Sequence, residues 1–320
     1  MALIGTDISK AKKILEAGGL VAIPTETVYG LAANALNTHA VARIFAAKDR
    51  PHFDPLIVHI ADAGHASRYA HTIAENAQRL MENLWPGPLT LLLDRRENIP
   101  DIVTSGMDRV GLRCPNHPLT LELLRALSFP LAAPSANPFG YISPTTAQHV
   151  NDQLGDRIDY ILDGGPCPVG IESTIVGFED AQPFIFRSGG VTQEIIEALI
   201  GPVFMIDNGS DSPQSPGQLK SHYAPRKRLV LGNIANLITT FKEQSIGILS
   251  WKKQWAEVNP ALQIILSASG DLEEAARGLF TALRALDQMD IQIIIAEEVP
   301  EVGLGKAIND RLRRAAALED

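Results

Sequence analysis

The stretch RIFAAKDRPHFDPLIVHI, Arg43 to Ile60, runs from a helix end through a charged loop into a strand. Ile44, Ala46 and Ala47 read as the apolar side of a helix, and Leu56, Ile57, Val58 and Ile60 as a buried strand. Between them Pro51 and Pro55 stiffen a loop that carries Lys48, Asp49, Arg50 and Asp54. Pro51 restricts the residue before it, and a restrained loop loses less entropy on gripping a ligand. Lys offers a compact charge and Arg a planar fork, a pair suited to a polyphosphate. The competing reading is a solvated charged turn.

The same alternation continues on both sides. Asp7 or Ser9 can cap an amphipathic helix in the opening MALIGTDISKAKKILEAGG, which stops at Gly18-Gly19 before the apolar run Leu20–Pro24. Strands are expected at Leu89–Leu93, Val110–Arg113, Phe129–Ala133, Tyr160–Leu162, Thr174–Gly177 and Phe184–Arg187, with helices around Ala40–Ala47, Ala74–Leu84, Leu119–Leu127 and Gln193–Leu199. The Ser-, Pro-, Gly- and Asp-rich run Asp207–Gln218 reads as a linker. Beyond it RLVLG, SIGILSW, LQIILSA and IQIIIAEEV alternate with helical stretches, which fits a small open sheet with crossover connections. The expected fold is α/β, in units 1–205, a linker or lid at 206–226, and 227–320.

Composition limits the function. At 320 residues two domains are expected, and 45% hydrophobic with 20% charged residues is a globular balance. No apolar run reaches the roughly 18 residues of a membrane span, and the opening lacks the layout of a signal peptide. Two cysteines, Cys114 and Cys167, exclude a disulfide framework or a cysteine-rich zinc site and make the cytoplasm the expected location. Basic residues number 15 against 22 acidic in Met1–Met205, and 13 against 15 beyond. Neither part has the basic excess of a dedicated nucleic-acid binder, so an anion site must be local.

Four stretches could carry chemistry. PTETVYG (Pro24–Gly30) follows a strand and offers hydroxyls, a carboxylate and a phenol, or is merely a capped turn. The Lys48–Asp54 loop is the second, with His59 on the following strand. In APSANPFGYISPTTA (Ala133–Ala147), Ser135, Asn137 and Ser143 sit among prolines and Gly140, with a helix expected near Pro144-Thr145 and Ser143 as its cap. Last, Arg113, Ser173, Thr174 and Arg187 stand at strand ends, where an arginine often only snorkels. Neither GxxxxGK[ST] nor a Rossmann GxGxxG in the right context occurs.

Taken in order, PTETVYGLAANA, KDRP, PLIVHI, WPGPLTLLL, PSAN, STIV and RSGG resemble the YrdC/TsaC family of threonylcarbamoyl-adenylate synthases over roughly residues 8–200. SPGQLKSHYAP (Ser215–Pro225) and GLGKAINDRLRRAA resemble the longer, two-domain form. The resemblance implies a YrdC-like twisted mixed sheet with helices, plus a smaller Rossmann-like C-terminal domain. It also implies synthesis of threonylcarbamoyl-AMP and pyrophosphate from L-threonine, bicarbonate or CO2, and ATP, with Mg2+ on the ATP phosphates. A separate tRNA threonylcarbamoyl-transferase complex would consume the product. Direct tRNA binding is allowed but not required.

By resemblance Lys48 and Arg50 form the catalytic clamp. With Asp54, Arg109, Ser135, Asn137, Ser143 and Arg187 they contact ATP, and Tyr223 closes over it. Thr27, His59, Arg113, Ala133 and Ser173 match the threonine positions. Asp49 stands where the family commonly has Gly, Asp54 where it has Asn, and Arg109 where a Thr is frequent. Cutting the chain after Met205 is expected to weaken ATP use and leave the first domain folded. One rival reading is a double-stranded RNA or tRNA-binding module without turnover, which the acidic balance disfavours. The other is the hydrogenase-maturing carbamoyltransferase, whose zinc fingers two cysteines cannot build.

Overall fold

The computed structural model describes residues 1–180, 182–206, 215–217, 219 and 221–317. The chain begins β1 (Leu3–Gly5), α1 (Ile8–Glu16), β2 (Val21–Ile23), β3 (Gly30–Asn34), α2 (Thr38–Lys48) and β4 (Ile57–His59). It continues with α3 (Glu75–Leu84), β5 (Leu89–Asp94), α4 (Asp101–Thr104), β6 (Arg109–Arg113), α5 (Pro118–Ala126), β7 (Leu131–Ala132), α6 (Ala147–Leu154) and β8 (Tyr160–Leu162). After β9 (Thr174–Glu179), β10 (Gln182–Arg187), α7 (Gln193–Ile200) and β11 (Phe204–Met205) the first sheet is complete.

These strands form one mixed sheet in the order β1-β8-β2-β3-β7-β4-β6-β5-β9-β10-β11. Parallel pairs such as β4/β6 and β5/β9 alternate with antiparallel ones such as β5/β6 and β4/β7. The pairing of His59 with Arg113 in β4/β6, and of Leu89 with Thr174 in β5/β9, brings distant motifs to neighbouring strand ends. The second sheet is all parallel, ordered β12 (Arg228–Leu231), β15 (Ile293–Ala296), β13 (Ile246–Ser250), β14 (Gln263–Ile265). It carries α8 (Ile234–Thr240), α9 (Leu272–Gln288) and α10 (Leu304–Ala316). The expected mixed sheet and smaller open parallel sheet are both present.

Two local readings need correction. The opening is not helical throughout, because Leu3–Gly5 pairs in parallel with Tyr160–Leu162 before α1 begins, capped by Asp7. Ser143 does not cap the following helix. Thr146 does, accepting the His149 amide, and α6 starts at Ala147. Of the linker expected over 206–226, residues 207–214, 218 and 220 lie outside the described residues.

The two sheets share an apolar interface. Val28, Ile142, Ile171 and Tyr223 cluster with Ala276, Leu279, Phe280 and Leu283 of α9. Gly170, at φ +80°, lies so close to α9 that a Cβ would stand 2.4 Å from Arg277 Cα. Polar contacts frame the patch: Arg277 Nε donates to Pro168 O at 2.9 Å, Tyr141 OH to Asp287 Oδ2 at 2.6 Å, and Arg284 Nη2 to Ile142 O. Cutting the chain after Met205 would therefore uncover a hydrophobic face.

Candidate active site

Helix α2 ends on Asp49, whose φ of 53° puts it in the left-handed region. That conformation suits glycine best, so an aspartate there carries some backbone strain. Asp49 fills the turn and pairs outward with Arg157 at 2.5 Å. The turn sends Lys48 and Arg50 inward. Lys48 is 1% and Arg50 7% exposed, so the loop is not a solvated turn.

Lys48 Nζ donates to Ser135 O at 2.5 Å and to Asn137 O. The PSAN loop is held from the other side too, since Leu31 N donates to Pro134 O and Ala136 N to Tyr29 O. Arg50 donates to the carbonyls of Asp54 and Pro55 at 3.1 and 2.9 Å and pairs with Asp54 Oδ2 at 2.9 Å. Burial pushes the Lys48 ammonium well below its ordinary value, and the Arg50 charge adds to the effect. Burial likewise pushes the Asp54 carboxyl up, against the pull of Arg50 and Lys48.

Arg50 and the PSAN loop border a chamber of about 50 Å3. Arg50, His59, Arg113, Ala133, Ser135, Ser173, Arg187 and Tyr223 line it. Other expected residues stand one layer behind. Thr27 accepts from Arg113 Nη2 at 2.9 Å, Ser143 donates to Glu172 Oε1 at 2.5 Å, and Asn137 donates to Pro138 O and Tyr141 O at 2.8 Å. Asp54 lies behind Arg50. Arg109 is not on this chamber: its guanidinium lies 5.1 Å from the Phe186 ring centre, with Glu179 at 3.8 Å.

The arginines at strand ends do not snorkel. Arg113 pairs with Glu26 Oε2 at 2.8 Å, and Arg187 donates to Ser173 O and Oγ at 3.0 and 3.1 Å. Arg187 also donates to Pro216 O at 3.1 Å, so it holds the strap formed by the described residues of 215–223. Gly217 (φ +82°) permits the strap's path, because a Cβ there would meet Tyr223 OH at 2.5 Å.

His59 is neutral. Burial and the Arg113 charge push its imidazole down to about 3. His222 is pushed well below 6.5 by burial and by Arg50, Lys48, Arg187 and Arg314. An imidazole that is charged in the unfolded chain and neutral in the fold lowers stability as pH falls below 6.5, the unfolded value. Between pH 6.5 and 5 His59 alone should remove roughly 1.5–2 kcal/mol, and His222 acts in the same direction. The expected result is a melting temperature lower by several degrees at pH 5 than at pH 7; a flat profile would contradict buried neutral imidazoles.

Sequence reasoning passed over Glu172, His222, Pro216 and Gly217, all of which line the chamber. Glu172 adjoins Ser173 and His222 adjoins Tyr223, so adjacency was an available signal. Among the described residues no helix is long and apolar enough to cross a membrane.

Comparison with known proteins places the chain in a family. A family model described as "Telomere recombination" (Sua5/YciO/YrdC) matches residues 13–189. A second, "Threonylcarbamoyl-AMP synthase, C-terminal domain", matches residues 191–317. A Bacillus subtilis protein named threonylcarbamoyl-AMP synthase is 41% identical over 97% of this chain and 92% of its own. A Schizosaccharomyces pombe protein of the same name is 36% identical over 93% and 85%. The crystal structure of Pyrococcus abyssi Sua5 complexed with L-threonine superposes with a TM-score of 0.92 at 38% identity, covering 99% of this chain and 97% of that one. Matched along nearly its whole length, in both sheets and in order, the chain belongs to the two-domain Sua5/TsaC family of threonylcarbamoyl-AMP synthases.

Proposed function

We propose that this chain joins L-threonine, bicarbonate or CO2, and ATP into threonylcarbamoyl-AMP with release of pyrophosphate, for threonylcarbamoyladenosine formation on tRNA. The observation that carries the reading is the chamber itself. A net acidic protein gathers Arg50, Arg113 and Arg187 around one hollow, with Lys48 immediately behind.

In this reading residues 1–205 are the catalytic unit, 206–226 the linker or lid, and 227–320 the small C-terminal unit. Arg113, fixed by Glu26 and Thr27, receives the threonine carboxylate. His59, Ala133 and Ser173 shape the rest of that subsite, and neutral His59 adds a hydrogen-bonding group without a competing charge. Threonine's ammonium and bicarbonate give the carbamate, water and a proton. A carbamate oxygen then attacks the α-phosphorus and pyrophosphate departs. Neither step requires a covalent enzyme intermediate. Positioning and neutralisation of phosphate charge by Lys48, Arg50 and Arg187 supply the acceleration, with Ser135, Asn137, Ser143 and Tyr223 as further nucleotide contacts.

Asp54 serves this site through Arg50. Arg109 is assigned no contact, because it stands away from the chamber. The nearby carboxylates are already engaged, Asp54 by Arg50 and Glu172 by Arg311. Among the described residues no group of three His, Cys, Asp or Glu could hold a metal. Mg2+ is assigned here to the ATP phosphates, whose oxygens are its ordinary ligands. The cytoplasm is the proposed location, and a separate tRNA threonylcarbamoyl-transferase complex the proposed consumer of the product.

A ligand pocket for a drug-sized molecule occupies about 300–1,000 Å3, far above the 50 Å3 of the closed chamber. The strap must move to admit ATP. Binding should also take up protons. Burial first, and then neighbouring cations, hold Lys48 and His222 down, and a triphosphate opposes the second of these effects. Calorimetry at pH 7 in buffers of different ionisation enthalpy should show net proton uptake that His222→Gln reduces. Proton release, or no exchange at all, would contradict the assignment. The direct test is incubation with threonine, bicarbonate, ATP and Mg2+, identifying the adenylate by mass. Tight tRNA binding without any adenylate would reject the reading.

A further inference from the structure

Helix α10 presents Ala307, Ile308, Leu312 and Ala315 as a buried stripe, and Arg311 falls within the same stripe at 0% exposure. A guanidinium in an apolar stripe is a poor stabiliser, because well-packed hydrophobic residues often do as well or better there. Its contacts suggest another reason. Arg311 Nε donates to Glu172 Oε2 at 3.0 Å, and Nη1 pairs with Asp310 Oδ2 at 2.7 Å. The guanidinium lies 5.1 Å from the centre of the Tyr223 ring. Glu172 and Tyr223 both line the chamber, one on its wall and one on the strap.

Tyr223 needs such support. Its φ of 63° is unusual for a bulky residue, and its ring is held between Phe280 (5.7 Å) and Arg311. One turn further along α10, Arg314 Nη1 donates to Leu219 O at 2.5 Å, and Arg314 O accepts the His222 amide at 3.3 Å. Strap and helix are thus joined through both backbone and side chains.

We propose that Arg311 is a positioning residue for the reaction, through which the C-terminal domain sets Glu172 and Tyr223 so that the strap seals the chamber. This rests on the adenylate-forming reading above. The seal matters because the carbamate and the carbamoyl–phosphate anhydride both react with water. Water cleaves the anhydride to AMP and threonylcarbamate, which falls apart to threonine and bicarbonate. ATP is then consumed with no product kept.

The test compares full-length wild type with Arg311→Met, Arg311→Lys and Glu172→Gln. Threonine-dependent pyrophosphate and threonylcarbamoyl-AMP are measured in the same rapidly quenched sample, with melting temperature as the folding control. In Arg311→Met the adenylate formed per pyrophosphate should fall tenfold or more, while pyrophosphate release stays within about fivefold of wild type. Arg311→Lys, which keeps the charge but not the flat fork, should recover part of the ratio. A purely structural role would lower both products together, so an unchanged ratio overturns the proposal. If Arg311→Met does not fold, Glu172→Gln decides, since it removes the ion partner with little change of shape and should show the same fall; an unchanged ratio there is equally fatal. Wild type that makes no adenylate overturns the functional reading, and this proposal with it.

Discussion

Lys48→Met should lower threonine-dependent pyrophosphate release by about 10²–10³-fold, the usual effect of removing one preorganised charge-stabilising donor. The ammonium sits at the end of α2 and bonds the carbonyls of Ser135 and Asn137. It thereby ties the clamp loop to the PSAN loop and aims both at the chamber that Arg50 and Ser135 line. Folding should survive. Methionine leaves the Asn137 carbonyl without its donor, at about 1–3 kcal/mol, whereas the Ser135 carbonyl keeps the Asn137 amide; it also relieves the burial of a charge, so the melting temperature should move by only a few degrees. Lys48→Arg should not rescue, because a planar fork cannot occupy the tight space between two carbonyls as a compact ammonium does. Near-normal turnover in the methionine variant, or full recovery with arginine, would refute the clamp.

How much of this could be read beforehand depends on where each element gets its structure. Leu56–Ile60 is β-branched and aliphatic, and it reads as a strand from local pattern. Gly30–Asn34, with sequence GLAAN, does not, because glycine and alanine have weak strand preference. It is a strand because Val21–Ile23 and Leu131–Ala132 pair with it on either side. Leu3–Gly5 was hidden for the same reason, since its partner Tyr160–Leu162 lies far along the chain. Ser143 looked like a helix cap because Thr146, three residues on, has the same chemistry; only the geometry shows which hydroxyl meets an amide.

The candidate site divides along similar lines. Lys48, Arg50, Ser135 and Arg187 stand in motifs whose local order signals chemistry, and the fold brings them together. Asp54 and Arg109 share the right chemistry, but one is turned behind Arg50 and the other toward Phe186. Arg311 was illegible as a site residue because its partners, Glu172 and Tyr223, are separated from it by long stretches of chain. Its one local trace is a charge in the apolar stripe of α10.

A chain ending at Met205 should be recovered mainly as aggregate or oligomer, and whatever fraction stays monomeric should turn over at least a hundredfold more slowly. Such a chain lacks α9 and so bares Val28, Ile142 and Ile171 together. Burial of each is worth about 1.5–3 kcal/mol, and contiguous exposed patches of this kind drive association. The cut also removes Arg311 from Glu172 and Arg284 from the carbonyls of Ile142 and Ser143, leaving the buried carboxylate with Ser143 Oγ but no ion partner and the loop backbone without its guanidinium donor. The strap with His222 and Tyr223 goes too, so the chamber loses its outer wall. Val28→Thr with Ile142→Ser and Ile171→Thr in the truncated chain should therefore restore a monomer without restoring activity. Size-exclusion chromatography and pyrophosphate assays would show it; an unmodified truncation that is monomeric, stable and fully active would mean that the interface is incidental to both folding and catalysis.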